Sequence, residues 1–300
     1  MSINTQNCGV SELGTALPEC FAELGFPKGF ILTKKDWNED VSTTIDKAYI
    51  QEQIQLGNFI PFLNSTGFEE GTPEPTNQEF QDGTKVNARS AKPEFTFTFT
   101  KSVNFQKIAS SYNSFEKYNV LLAFDNDVLF TAISSDESTI SGFDLGMLHS
   151  NTFNHNTGSE VGNTAIMMQL LNNKQYNNGA IWNPDYALLA ETNGVLDLNI
   201  ELASTAGTIT AKVTSKINNT FNVLGLQADN FRLIVDGAAE AVDTLTYDDV
   251  SDRYVVEATS TLSGGEALVL EPYDDTLSTN ITALGDRFYR GKSNEATYSA

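Results

Sequence analysis

The chain has 300 residues, about twice the length of a typical domain, so two domains or one large one are expected. Its 39 acidic residues against 18 basic ones give a formal net charge of −21, which disfavours nucleic acid and anionic membrane surfaces as bound partners. The two cysteines, Cys8 and Cys20, are too few for a disulfide framework. No apolar stretch approaches the ~20 residues of a membrane span, and no export signal is recognisable, so no membrane partner is expected.

The composition favours strands and polar loops over long helices. Only 19% of the residues are charged, and phenylalanine occurs 19 times. Aromatic residues and threonine suit the half-buried surface of a pleated sheet, whereas long helices are usually richer in charged residues. We therefore expect an α+β or mainly β fold, with an antiparallel sheet, a flanking helix and a C-terminal Ig-like β-sandwich.

Residues 1–90 are expected to form an extended arm with loops. Two short apolar pieces, at 26–32 and 57–63, are separated by turn-forming residues and by one capped helix. The stretch 65–85 contains two prolines and three glycines, which predicts an exposed loop or arm. Little of this region is expected to fold alone.

The clearest pattern in the chain is a strict alternation of phenylalanine and threonine from residue 95 to residue 100. It predicts a strand with one buried face and one polar face. In a subunit that closes a ring by head-to-tail contacts, a strand of this kind joins its edge to the sheet of a neighbour, so we predict an assembly role for it if the chain is such a subunit. The residues of this predicted assembly strand are Phe95, Phe97 and Phe99.

The region 91–188 is predicted to be an α+β assembly domain. Strands are expected at 119–125 and 127–133, joined by a tight turn at Asn126, and at 164–171. Before them, five apolar residues at spacings of three and four predict an amphipathic helix of about four turns, packed on the phenylalanine face. These residues are Phe105, Ile108, Tyr112, Phe115 and Tyr118.

The sequence pattern changes near residue 192: helical spacing of apolar residues ends, and short strand-like runs recur between turn-forming residues. Six strands at roughly ten-residue spacing predict a β-sandwich over residues 189–285. The remaining residues, 286–300, are expected to be a polar tail that is mobile or bound to a partner. The six predicted strands are 195–202, 208–216, 231–237, 243–249, 253–259 and 266–274.

No motif for a catalytic nucleophile, a phosphate-binding loop, a dinucleotide site or a zinc protease is present, so a non-enzymatic protein without a cofactor is expected. His149 and His155 lack a third metal ligand nearby, which favours a solvated loop. Trp37 and Trp182 could line a sugar-binding groove, but positions in the core or in an interface are favoured. An acidic turn could hold Ca²⁺, although a solvated turn is favoured there too. Its residues are Asp248, Asp249 and Asp252, with Asp236 or Asp274.

One C-terminal stretch carries a resemblance to a known family. Residues 225–237 read GLQADNFRLIVDG, and they are followed by a hairpin from Tyr247 to Tyr254 and by a turn at Leu262-Ser263-Gly264-Gly265. This pattern resembles that of the Ig-like modules that decorate bacterial surface proteins and phage virions. The resemblance implies an Ig-like β-sandwich of about 80–90 residues.

The N-terminal two-thirds is similar in organisation to tail-tube and neck-ring proteins of tailed phages, such as the crAss-like phages of Bacteroidetes. This resemblance implies a virion structural protein, assembled in the cytoplasm of the bacterial host, that forms an oligomeric ring or tube in the neck or tail. Further copies of the chain and other virion proteins are the implied partners, and DNA passes through the lumen without specific binding. A charge of −21 would repel DNA from the lumen wall if enough of the acidic side chains face inward.

Two other functions stay open. A capsid-surface decoration or head-fibre protein would have the same kind of sequence and would differ in its place on the virion. An adhesive carbohydrate-binding module would share the β-sandwich, but would normally display tryptophan or tyrosine platforms.

Overall fold

The computed structural model describes residues 24–82, 84–89, 91–159, 161–216 and 218–300. The protein is 48% strand and 11% helix, about twice the usual strand content of globular proteins, which confirms the expected mainly β fold class. Two compact units are present. The first contains the described residues up to Ile50 together with Asn58–Thr192, and the second contains Gln51–Gly57 and Asn193–Ala300. Cys8 and Cys20 lie outside the described residues.

The first unit is built from fourteen described strands and four short helices, the first of which, Lys47–Gln55, runs across the boundary between the two units. The strands are β1 Pro27–Lys34, β2 Asn38–Asp40, β3 Phe59–Leu63, β4 Gly67–Glu70, β5 Thr76–Glu79, β6 Lys85–Arg89, β7 Glu94–Phe99, β8 Ser114–Phe115, β9 Tyr118–Phe124, β10 Leu129–Ile133, β11 Thr139–Ser141, β12 Phe143–Ser150, β13 Thr164–Leu170 and β14 Ala180–Trp182. The helices are α1 Lys47–Gln55, α2 Val103–Ser111, α3 Asn173–Asn177 and α4 Leu188–Glu191.

Seven of these strands form a closed ring of hydrogen-bonded neighbours. The ring has six positions, because β3 and β4 share one of them. β9 pairs with β1 on one edge and with β12 on the other, and β12 continues through β13 to β7. The remaining gap, between β7 and β1, is filled by β3 and β4 together. β3 pairs with β1, and after the turn at Asn64 the chain continues as β4 and pairs with β7.

The seam of the ring is visible in two adjacent hydrogen bonds. The backbone N–H of Ser65 donates to the carbonyl oxygen of Lys28 in β1 at 2.8 Å, and that of Thr66 donates to the carbonyl oxygen of Thr98 in β7 at 2.7 Å. Asn64, just before them, adopts a left-handed φ of 65°, a conformation that asparagine tolerates better than most residues. This bend lets one segment serve both edges of the sheet.

The interior of the ring is filled mainly by phenylalanine. Phe95, Phe97 and Phe99 are at most 1% exposed, and Phe97 and Phe99 meet the side chain of Phe30 from the opposite wall. The expectation that the phenylalanine face is buried is therefore confirmed. Because residues on one face of a strand alternate with those on the other, the threonines between them point to the outside of the ring.

The helix beside the phenylalanine face is shorter than predicted. α2 ends at Ser111, whereas a helix reaching Tyr118 was expected. The backbone of Ser114 and Phe115 instead pairs with Leu148 and Met147 in β12. Phe115 is 80% exposed, so its helical spacing from the core residues was a coincidence of sequence. The prediction of packing is right for Phe105 and Tyr112, which contact Phe62 in the core.

The expectation of an extended arm over residues 1–90 is wrong for 27–70. β1 lies between β3 and β9, and Phe30, Ile31 and Leu32 are fully buried. Local sequence did not reveal this, because a short apolar run bounded by turn formers fits a buried strand and a loop anchor equally well. The predicted strands at 119–125, 127–133 and 164–171 are confirmed as β9, β10 and β13, and the turn at Asn126 joins the first two as a hairpin.

The second unit contains ten strands, among the described residues, and one short 3₁₀ turn at Ala228–Asn230. All six predicted strands are confirmed. The strands are β15 Val195–Thr205, β16 Thr208–Ser215, β17 Asn218–Asn222, β18 Phe231–Val235, β19 Ala238–Asp248, β20 Arg253–Ala258, β21 Ala267–Pro272, β22 Ile281–Leu284, β23 Arg287–Arg290 and β24 Ala296–Thr297.

The sheet of the second unit also curls back on itself. Its strands follow the order β15, β16, β20, β19, β18 and β21. The C-terminal segment lies between the two ends of that order, since β23 runs parallel to β15 and β24 pairs with β21. Asn294 holds the seam: its side-chain oxygen accepts from the N–H of Leu202 at 2.8 Å, and its amide donates back to the Leu202 carbonyl oxygen at 3.0 Å.

The prediction of a mobile or partner-bound polar tail at 286–300 is therefore wrong. Phe288 and Tyr289 are buried, and the polar residues after them make backbone and side-chain hydrogen bonds within the sheet. The polar composition that suggested a tail instead supplies the donors and acceptors of the seam. The resemblance of this unit to Ig-like modules stays a prediction.

Candidate assembly surface

A two-stranded hairpin, called the arm here and comprising residues 76–89, belongs to neither large sheet. β5 and β6 pair only with each other among the described residues. An isolated two-stranded hairpin is marginally stable in water, so this element gains stability from any surface that it can add to or lie on.

The arm is separated from the ring by proline residues. The β4–β7 ladder continues for one more bond, from the N–H of Gly71 to the carbonyl oxygen of Glu94 at 2.9 Å. Beyond this bond, Pro73 and Pro75 lie in the segment that follows β4, and Pro93 lies just before β7. Because proline has no N–H to donate, the ladder stops there and resumes only at Thr76. The arm is thus a continuation of the β4–β7 pair beyond a proline joint.

The tip of the arm carries an exposed aromatic ring. Phe80 is 50% exposed, and its N–H donates to the carbonyl oxygen of Thr84 at 2.9 Å to close the turn. Asp82 accepts the N–H of Thr84 at 2.9 Å, and this hydrogen bond lowers the pKa of its carboxyl below the ordinary value. These hydrogen bonds join Phe80 and Asp82 to Thr84, and the phenyl ring of Phe80 stays half exposed.

A second unusual surface is the outside of the ring across β4, β7, β13, β12 and β8, called the Met/Thr face here. Strand register places its outward side chains in two rows. The first row is Glu69, Thr96, Met167 and His149. The second row is Glu94, Gln169, Met147 and Phe115. The two rows contain two carboxylates at one end and no lysine or arginine.

The predicted assembly strand is not at an edge. β7 pairs with β13 along residues 94–99 and with β4 along residues 95–98, so both of its edges are used within the chain. The expectation that Phe95, Phe97 and Phe99 offer an edge to a neighbour is corrected, since their rings also fill the core. The sequence reasoning missed Phe80, Met147 and Met167. A methionine on the polar side of an alternating strand is the signal that could have indicated them.

Lys101 marks one end of the ring. Its ammonium group lies over the rings of Phe99 and Phe105, 5.5 and 4.8 Å from their centroids, and donates to the carbonyl oxygen of Leu63 at 3.2 Å. Burial lowers the pKa of this lysine. The contacts stabilise the charge through ring quadrupoles and a backbone dipole. These contacts indicate a structural role for Lys101, whose side chain covers the rings of Phe99 and Phe105.

The histidine and aspartate candidates do not come together. His149 lies on β12 beside Met167, whereas His155 lies in the following loop against the ring of Phe153. In the acidic turn, Asp248 accepts from Val250 and Ser251. Across the described residues, no group of three or more histidine, cysteine or acidic side chains is arranged to hold a metal ion.

The two tryptophans are core residues, as favoured. Trp37 is 7% exposed and Trp182 is 1% exposed. Their rings lie 6.1 Å apart, and Phe59 and Tyr49 pack against them. A sugar-binding groove lined by these indoles is therefore not formed.

No protein-family model matches this chain, and no curated protein matches it either. Within the described residues, no helix combines the length and the apolar character needed to cross a membrane.

Proposed function

We propose that the chain is a non-enzymatic structural subunit that assembles with further copies of itself, as a ring or tube in the neck or tail of a tailed-phage virion. The observation that carries the proposal is the arm: a hairpin whose two strands pair only with each other among the described residues, with Phe80 half exposed at its tip, beyond Pro73 and Pro75. The phage assignment itself rests on the resemblance of the sequence organisation to tail-tube and neck-ring proteins.

An arm that pairs with no other strand in the described part of the chain is suited to contact with another chain. A contact between the arm of one copy and a different surface of the next copy is heterologous, and heterologous contacts generate closed rings or open helical tubes. The main rings of the two large sheets close through their own strands, which leaves, among the described residues, only short edge strands such as β14 and β22. In this proposal the arm is the element that directs assembly.

The charge of the chain fits a lumen through which DNA slides. With a net charge of −21, a ring of copies presents acidic side chains at close range, and these repel phosphate rather than bind it. DNA is therefore a passing partner in this proposal. The other partners are virion proteins above and below the ring, and assembly takes place in the cytoplasm of the bacterial host before incorporation into the virion.

The main alternative is a capsid-surface decoration or head-fibre protein. The second unit supports this alternative, because a β unit that closes its own sheet is suited to a position on the outside of a virion. A carbohydrate-binding adhesive module is less well supported, because both indoles are buried in the core. The decoration protein would bind preformed capsids without forming rings of its own.

Sedimentation velocity and negative-stain imaging of the purified chain test the proposal. Wild-type protein is expected to form rings or tubes, and a variant with residues 75–90 replaced by a short glycine-serine turn is expected to sediment as a monomer with unchanged melting. A matched control shortens the exposed loop segment 155–159 and should still assemble. A wild-type chain that stays monomeric at every concentration, or an armless variant that assembles normally, would refute the proposal.

A further inference from the structure

The sequence contains two asparagine–glycine pairs, Asn178-Gly179 and Asn193-Gly194. In such a pair the backbone nitrogen of the glycine can attack the side-chain amide carbon of the asparagine, because the two groups sit on adjacent residues and close a small ring, a succinimide. Glycine favours this attack, since it has no Cβ to crowd the ring and its backbone reaches conformations that other residues avoid. The fold then decides which of the two glycine nitrogens is able to react.

The fold restrains the first pair. The N–H of Gly179 donates to the carbonyl oxygen of Tyr176 at 3.2 Å, just after the end of α3. Gly179 also packs tightly against the ring of Phe130, because a Cβ built onto this glycine would lie 2.3 Å from the nearest ring atom. The backbone at Gly179 cannot rotate without displacing that ring. Attack on Asn178 therefore requires local opening of the structure.

The second pair is open to solvent. Asn193 and Gly194 are both exposed and lie between the end of α4 at Glu191 and the start of β15 at Val195. None of the hydrogen bonds found within the described residues is donated by the N–H of Gly194. The side chain of Asn193 donates from Nδ2 to the carbonyl oxygen of Asp286 at 3.1 Å, at the surface. Once that exposed hydrogen bond breaks, the amide carbon is free to turn toward the Gly194 nitrogen.

We propose that Asn193 is a modification site, at which water converts the asparagine to aspartate and isoaspartate through a succinimide formed with Gly194. The Gly194 nitrogen loses its proton to hydroxide and bonds to Cγ of Asn193. The Cγ–Nδ2 bond then breaks, and Nδ2 takes up a proton and leaves as ammonia. Water next opens the ring: addition at Cγ gives aspartate, whereas addition at the main-chain carbonyl carbon gives isoaspartate. The net reaction consumes one water and releases one ammonia, and it is independent of the proposed function.

The conversion acts on the pairing of β15 with β23. Asp286 directly precedes β23, and Val195, two residues after Asn193, pairs with Phe288. A carboxylate in place of the amide has no N–H to donate, so the hydrogen bond to the Asp286 carbonyl oxygen is lost and a negative charge is added beside it. Isoaspartate also lengthens the main chain by one carbon just before β15. Both products are therefore expected to loosen the start of this pairing.

Incubation of the full chain in heavy-oxygen water, followed by digestion and mass spectrometry, measures the reaction at both pairs. Folded protein is expected to convert Asn193 at least about tenfold faster than Asn178, since an opening cost of ~1.4 kcal/mol at Gly179 is enough for a factor of ten. The rate at Asn193 should rise with pH, because the attacking nitrogen must lose its proton. In chain unfolded by urea, the two pairs should convert at similar rates. Equal rates in the folded chain, or a folded Asn193 that stays intact while the unfolded chain reacts, would overturn the proposal.

Variants test the chemistry and its consequence separately. Gly194→Ala should slow conversion by about tenfold or more, because its methyl group crowds the ring. Asn193→Asp should reproduce the effect of the modification, seen as faster hydrogen exchange at Phe288 and Tyr289 in β23. Thr261→Asp, which adds the same charge at another exposed position of the second unit, is the matched control and should leave that exchange unchanged. Undiminished conversion in Gly194→Ala would contradict the succinimide route, and unchanged exchange in Asn193→Asp would contradict the effect on β23.

Discussion

Phe30 and Phe97 face each other across the interior of the ring, with their ring centroids 5.3 Å apart. Phe30 belongs to β1 and Phe97 to β7, two strands that do not pair with each other. Their contact is made possible by the closure of the sheet through β3 and β4. The first prediction tests this core.

Phe97→Asp should destabilise the first unit by about 4 kcal/mol or more, because the carboxylate would be buried without a partner. Thr96→Asp, on the outward side of the same strand, should cost less than about 1 kcal/mol. Denaturant unfolding of the two variants and the wild type provides the comparison. Equal stability of the two aspartate variants would contradict the assignment of inward and outward faces in β7.

Lys101 gives a prediction about charge at the end of the ring. Lys101→Met keeps most of the side-chain stem and removes the desolvated ammonium, so the unfolding free energy should change by less than about 1 kcal/mol. Lys101→Glu should lower it by about 2 kcal/mol or more, because a carboxylate is repelled by the faces of Phe99 and Phe105 and by the Leu63 carbonyl. If both variants were equally stable, the ammonium contacts would have no structural role. Thermal melts monitored by circular dichroism measure the difference.

The seam of the second unit is tested by Asn294→Ala. This change leaves the N–H and C=O of Leu202 without their partner, which should cost about 1–3 kcal/mol. Lys292→Ala, an exposed neighbour, is the control and should have no measurable effect. A chain truncated after Gly291 should lose more stability than Asn294→Ala, since it also loses the β24 pairing. Hydrogen exchange at β15 and β21 should rise in both seam variants, and unchanged protection there would mean that the segment does not close the sheet.

Alkaline stability should depend on Tyr186. Burial raises the pKa of its hydroxyl from 10.0 to about 12. Below pH 10 both the folded and the unfolded chain keep the proton, whereas between pH 10 and about 12 the unfolded chain loses it first, so the unfolding free energy falls in that window. Tyr186→Phe should make the fall shallower. A pH series of melting curves checks this, and an identical alkaline slope in the variant would show that other groups determine it.

Assembly should respond to salt. Acidic subunits repel one another, and this repulsion is screened over a Debye length of about 8 Å at physiological ionic strength. Raised salt or Mg²⁺ should therefore shift the chain from monomers toward rings, as measured by light scattering. A DNA mobility assay on the same samples should show no binding, because a chain with a net charge of −21 repels phosphate and offers few cations to release its counterions. Tight, salt-sensitive DNA binding would contradict the passing role assigned to DNA.

The elements with a strong local pattern could be predicted from sequence. The alternation from Phe95 to Phe99 identified a strand and its buried face, and six C-terminal strands were located by their spacing. The partners of these strands could not be predicted, because ring closure depends on contacts between residues far apart in the chain. Both edges of β7 are used for this reason, although its sequence is compatible with an edge strand.

The candidate surface was only partly predictable. Prolines and glycines at 65–85 indicated a projecting segment, and the tip of the arm lies there. The Met/Thr face could not be predicted from the sequence, because its residues come from five strands and lie on one face only through the register in which those strands pair. The C-terminal segment was wrongly predicted to be a tail, because a seam held by hydrogen bonds between polar groups has the same composition as a solvated tail.

Ring closure also has a consequence for synthesis of the chain. β1 contributes Phe30 to a core whose far wall is completed only by β13, so the first strands must wait until Leu170 has been made. At about 5–20 residues per second, the roughly 140 residues between them take on the order of ten seconds to translate. During that interval the apolar strands near the N-terminus have no finished core to enter. The nascent chain is therefore expected to engage chaperones strongly until residue 170 emerges, and only weakly afterwards.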